Sequence, residues 1–106
     1  MTLREICVAA GVTRRAVQGY EKAGLVSPTG KTSRGYLLYD VHSQERIKQI
    51  RLYQQLGFSI KEIQGIIDAE NDIKKQALEE RIEKLKEEGE NLESLINTAY
   101  EMLAEL

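Results

Sequence analysis

The chain has 106 residues with one proline, one cysteine and no tryptophan; 42% of it is apolar and 30% charged. That length holds one compact domain, or a small domain carrying an extended element. The apolar share excludes a disordered chain, and no apolar run is long enough to cross a bilayer.

The net charge of −2 conceals a division, because residues 1–61 carry ten Lys/Arg against four Asp/Glu and residues 62–106 carry five against thirteen. A basic front half points to a polyanionic partner for that half alone. The opening MTLREICVAAG lacks the basic region and apolar stretch of a secretory signal. A lone cysteine makes no intrachain disulfide. Both features give a cytoplasmic expectation.

TLRE at the start is a capping box, Thr2 serving an orphan N–H while Glu5 reaches back. Leu3, Ile6, Cys7 and Ala10 then fall on one face of a short helix, which Gly11 ends. Thr13 caps a second helix that turns Ala16, Val17 and Tyr20 inward and stops at Gly24. Two short helices joined by a glycine turn read as a helix-turn-helix.

From Ser27 to Asp40 the pattern changes. SPTGKTSRG is rich in turn formers and YLLYD in β-prone residues, so a small hairpin, a wing, is predicted with Lys31 and Arg34 near its tip. Helical spacing returns over 43–56 through Ile47, Ile50, Tyr53 or Gln54, and Leu56, and Gly57 closes that helix. Ser59 and Glu62 form a second capping box, with Phe58 and Ile63 at staple spacing. The helix that follows turns Ile60, Ile63 and Ile67 to the core.

The tail repeats at seven residues: Leu78, Leu85, Leu92, Ala99 and Leu106, with Ile82, Gly89, Ile96 and Leu103 as companion seam positions. The 36 residues from Asn71 to Leu106 extend about 54 Å as a helix. A helix that long does not bury its seam on a small domain, so a second copy of the chain is the economical partner. A surface helix folded back on the domain is the alternative. Gly89 in the seam either admits a close partner helix or marks a bend.

Arg14 and Arg15 stand in the first turn of the second helix, where the helix dipole disfavours cations. Helix stability therefore does not explain them. In a helix-turn-helix this is the end that enters a DNA major groove, beside N–H groups that attract phosphate. Guanidinium suits both guanine O6/N7 and phosphate oxygens. The bland alternative is a pair of solvated arginines, for which Glu5 and Glu21 are the plausible local acids.

GVTRRAVQGYEKAGLVSP, RGYLLYD and ERIKQIRLYQQLGFSIKEIQGII, in that order, resemble the DNA-binding domain of the MerR family of bacterial transcription regulators. The resemblance implies a mainly α fold: a winged helix-turn-helix domain over residues 1–70, then a dimerisation helix over 71–106 that pairs as an antiparallel coiled coil. Leu78, Ile82, Leu85, Leu92, Ile96, Ala99 and Leu103 are the expected dimer interface. Thr13, Arg14 and Arg15 belong to the recognition helix, Tyr20 to a backbone phosphate contact, and Lys31, Arg34 and Tyr36 to a phosphate-gripping wing. Tyr20 and Tyr36 are expected to pack with their hydroxyls free to bond phosphate, and Tyr39 to be structural.

There are departures from the family pattern. Gln18 and Gly19 stand where the family usually has Arg-Tyr or Arg-Phe, and Leu37 replaces the arginine of GYRxY. Gln18 is a candidate adenine reader instead.

The implied function is that of a homodimer bound to double-stranded DNA at a pseudo-palindromic promoter operator, bending and untwisting it for RNA polymerase; repression by occupancy fits equally. Two other classes stay open: an architectural or recombination-accessory DNA-binding protein, and a coiled-coil adaptor that does not bind DNA. No enzyme is expected, since GKT lacks the rest of a phosphate loop and no nucleophile stands beside a base. No metal site or cofactor is expected either. Cys7 reads as a small core residue, His42 as solvent-facing, and the tail carboxylates as a solvated coil surface. No sensor is visible after the coil.

Overall fold

Thr2 and Glu5 form the reciprocal cap, with the Glu5 N–H on Thr2 Oγ1 and the Thr2 N–H on Glu5 Oε1. They start α1 (Leu3–Ala10), which buries Ile6 and half-buries Leu3, Cys7 and Ala10. Gly11 ends α1 at φ 65°, a left-handed conformation that costs glycine little. Thr13 Oγ1 accepts the Ala16 N–H at 3.0 Å and starts α2 (Arg14–Lys22), whose inner face is Val17 and Tyr20 with Ala16 half-buried. Gly24, at φ 75°, turns the chain out of α2.

All residues 1–106 of this computed structural model are described, and they fall into two units, Met1–Asp68 and Ala69–Leu106. In the first unit, β1 (Gly30–Lys31) and β2 (Leu37–Leu38) pair antiparallel with Gly30 opposite Leu38 and Lys31 opposite Leu37. The wing is therefore only two residues per strand. Its turn is closed by the Gly35 N–H on Thr32 O and by the Tyr36 N–H on Thr32 Oγ1. An isolated bridge joins Thr2 to Leu38.

Asp40 caps α3 (Val41–Gln55), which buries Ile47, Ile50 and Tyr53. The alternative between Tyr53 and Gln54 thus resolves to Tyr53, while Leu56 is 37% exposed, because the helix has ended and the chain turns at Gly57. Ser59 and Glu62 make the second reciprocal cap and start α4 (Ile60–Ile66). Ile63 and Ile67 go to the core from there, and Phe58 meets the Tyr53 ring edge-on at 5.8 Å. The core thus collects Ile6, Val17, Tyr20, Tyr39, Ile47, Ile50 and Ile63 from both helix pairs and the foot of the wing.

The second unit is one helix, α5 (Asn71–Ala104), 34 residues long, with no buried residue. From Ile82 onward its seam is open, with Ile82 49% exposed, Leu85 38%, Leu92 59%, Ile96 55% and Leu103 63%, while Leu78 is half-buried.

Candidate nucleic-acid interface

The exit of α2 is held from two directions. Arg46 of α3 donates from Nε to Leu25 O at 2.8 Å, and its two terminal nitrogens clasp Asp68 at 2.6 and 2.7 Å. Gln64 of α4 donates to Ala23 O at 2.7 Å. The last turn of α2 is held from within as well. The Tyr20 hydroxyl donates to Gln54 Oε1 at 2.5 Å, and the Tyr39 hydroxyl donates to Glu21. Burial raises both phenol pKa values above their ordinary 10, and in Tyr39 the neighbouring Glu21 adds to that.

The N-terminal end of α2 is left unengaged by comparison. Arg14 and Arg15 are exposed and make no ion pair or side-chain hydrogen bond, and their main-chain N–H groups have no acceptor in the chain. The two acids within sequence reach are occupied elsewhere, Glu5 on Thr2 and Glu21 on Tyr39. Two guanidiniums and two free amides at the positive end of a helix dipole make an anion-attracting surface. Gln18, on the same exposed side, is also without a partner.

Between this end of α2, the start of α1 and the wing runs an open groove of about 630 Å³, lined by Thr2, Leu3, Arg4, Arg14, Gly35, Tyr36 and Leu37. Arg34 sits in the wing turn and Lys31 on β1, both exposed and unpaired. The unit thus presents Arg4, Arg14, Arg15, Lys31 and Arg34 free of internal partners. Arg46, by contrast, has three hydrogen bonds and an 18% exposed side chain. Arg46 is thus a structural arginine, whereas the other five cations take no part in holding the unit together.

Several expected site residues sit differently from the reading of the sequence. Tyr20 is 1% exposed with its hydroxyl on Gln54, so it positions α2 rather than presenting a free phenol. Tyr36, expected to pack, is 62% exposed at the groove. Tyr39 is purely internal, as its sequence context suggests. No spacing in the sequence marks Arg4. It appears only once the wing folds back beside α1, with the Thr2–Leu38 bridge joining them.

The whole chain matches known families. Residues 1–70 match the profile of the MerR HTH family regulatory protein, and residues 44–106 that of the MerR DNA-binding segment. The chain is 29% identical over 96 residues to the HTH-type transcriptional activator Mta of Bacillus subtilis. That match covers 91% of the chain but 37% of Mta, so the chain spans little more than a third of this relative's length. The crystal structure of the N-terminal part of Mta, a multidrug transporter activator, superposes with a TM-score of 0.75 at 28% identity, covering 97% of both chains. A MerR-family transcriptional regulator from Bacillus cereus gives a TM-score of 0.81 at 30% identity over 96% of this chain and 78% of its own. The winged helix-turn-helix, its long terminal helix and both profiles agree: the chain belongs to the MerR family of helix-turn-helix regulators.

Proposed function

We propose that this chain is a sequence-specific DNA-binding transcriptional regulator that acts as a homodimer on a pseudo-palindromic promoter operator. One observation carries the reading: every cation around the free end of α2 and the wing lacks an internal partner, while the acids nearby are spent on caps and core hydroxyls. Electrostatics of that kind stabilises nothing inside the unit and suits a polyanion outside it.

In this reading α2 enters the major groove with its N-terminus forward, fixed by the Thr13 cap. Arg15 and Gln18, within one turn of each other, read base edges. Arg14 shares the groove with Arg4 and Tyr36, and these three hold a backbone phosphate. Lys31 and Arg34 grip the adjoining strand from the wing. Tyr20 acts through position alone. Residues 1–70 serve as the DNA-binding domain and residues 71–106 as the dimerisation helix, with Leu78, Ile82, Leu85, Leu92, Ile96, Ala99 and Leu103 in the interface. The likeness to Mta, a transcriptional activator, supports activation. In this reading activation proceeds by bending and untwisting promoter DNA, with RNA polymerase as the further partner, in the cytoplasm. No catalytic role is assigned to any residue.

The test is selection from a pool of random duplex DNA at several salt concentrations, wild type beside the Arg14→Ala/Arg15→Ala variant. A two-fold symmetric site enriched by the wild type and lost in the variant is the expected result. Salt-sensitive binding with no enriched site turns the reading to an architectural protein, and no binding by a folded dimer refutes the DNA reading.

A further inference from the structure

The seam of α5 has two small positions, Gly89 and Ala99, among residues otherwise large. Nothing in the chain lies within 4 Å of where a Cβ on Gly89 would stand. Cores close-pack, so a small seam residue calls for a large one across from it. The flanks carry a second, independent signal. Lys86 and Glu93 lie on one side of the seam, and Arg81, Glu88, Leu95 and Met102 on the other.

We propose that two copies of α5 pair antiparallel in the single register that seats Gly89 against the partner's Leu92. This rests on the homodimer reading above and on the antiparallel pairing that the family resemblance implies, and goes beyond both by fixing the alignment. In that register Ile82 meets the partner's Ala99 and Leu85 meets the partner's Ile96, so each small residue faces a large one. Lys86 comes beside the partner's Glu93, and symmetry repeats the pair. The Lys86 ammonium lies 3.5 Å from its own Glu83 but its side chain is 68% exposed, which leaves it reach across the seam. On the opposite flank Arg81 and Glu88 are joined along their own helix at 3.2 Å. This flank comes beside the partner's Met102 and Leu95, which are 66% and 65% exposed on the lone helix.

The neighbouring alignments fail on charge, and one of them on packing too. A one-heptad slip in one direction sets Gly89 against the partner's Ala99, leaving a void, and faces Glu93 with its own copy. A slip in the other direction faces Lys86 with Lys86 and Glu88 with Glu88. A parallel pair stacks Gly89 on Gly89 and brings Arg81 beside Lys86 and Glu88 beside Glu93, like charges at each.

Dimer dissociation of the full chain, measured by sedimentation without DNA, separates these arrangements. Lys86→Glu and Glu93→Lys are each expected to weaken the dimer roughly tenfold by turning two attractive pairs into two repulsive ones. The double variant should return to near the wild-type value. A parallel pair would be strengthened by Lys86→Glu, and the slip that faces Lys86 with Lys86 would be left unchanged; either result overturns the register. Cysteine pairing gives a second readout in a Cys7→Ala background. A mixture of Ile82→Cys and Ala99→Cys chains should cross-link on oxidation. Cross-linking of Ile82→Cys with Leu92→Cys, or of Ile82→Cys with itself, refutes the alignment and leaves the dimer intact. A monomeric wild type refutes the homodimer reading as well.

Discussion

Removing the Arg46 guanidinium tests whether the exit of α2 is held as the geometry indicates. In Arg46→Ala, Leu25 O loses its 2.8 Å donor in a residue only 6% exposed, and Asp68 loses its two bonds to the guanidinium. A buried carbonyl left without a donor costs about 1–3 kcal/mol. The pair with Asp68, whose side chain is 76% exposed, adds at most about 1 kcal/mol after screening. The Arg46 side chain is itself 18% exposed, so its stem also leaves a packing defect.

The expected loss is about 2–3 kcal/mol, which for a unit of this size lowers Tm by roughly 10–20 °C. Asp68→Asn keeps an acceptor for the guanidinium and leaves the Leu25 bond untouched, so it should cost under about 1 kcal/mol. Urea unfolding followed by circular dichroism, at one protein concentration for all variants, measures both. If Arg46→Ala falls within about 0.5 kcal/mol of wild type, or if Asp68→Asn costs as much as Arg46→Ala, the Leu25 carbonyl is not the dominant partner and the reasoning fails.

Other outcomes follow from the same structure. Arg34→Ala removes one proposed phosphate contact per protomer, so the slope of log K against log salt should shrink by about 1.8 for the dimer at every sequence. Arg15→Ala should instead cost about 1–3 kcal/mol per half-site on the preferred operator and little on random DNA, and equal losses on both refute base reading. Glu5 is held below its ordinary value of 4.5 mainly by the Thr2 N–H and then by the Thr2 hydroxyl. Its contribution is therefore full above that value and is lost as pH falls through the lower folded one. The stability gap between wild type and Glu5→Gln should close in acid, and a gap independent of pH refutes the cap. Tyr39 is raised by burial and by Glu21, so its contribution is full below the ordinary tyrosine value of about 10 and is lost as pH climbs toward the folded one. Tyr39→Phe should flatten the alkaline limb of the stability profile, and parallel profiles for the two proteins refute it.

What the sequence made legible was local. Thr2 with Glu5 and Ser59 with Glu62 are bonds between residues three apart, so spacing alone reveals them, and both caps form. The heptad seam is likewise a local repeat and lies on one continuous helix. The bonds that orient the candidate interface join residues far apart in the chain: Arg46 with Asp68, Tyr20 with Gln54 and Gln64 with Ala23. No periodicity encodes such pairs. Tyr20 is buried as its spacing indicates, but its hydroxyl, expected to be free for phosphate, is taken by the distant Gln54. Arg4, read from its own helix, gave no sign of the wing that comes to lie beside it.

The tethers of α2 gather at its C-terminal end, and the residues proposed to meet DNA, Arg14, Arg15 and Gln18, take no part in holding the fold. Substituting them disturbs no core contact and unpairs no buried group, so the stability threshold that eliminates most mutations places little restraint on these positions. Recognition in this chain is free to drift while the scaffold stands still. A new operator preference is reachable by single steps, with no compensating change in the core.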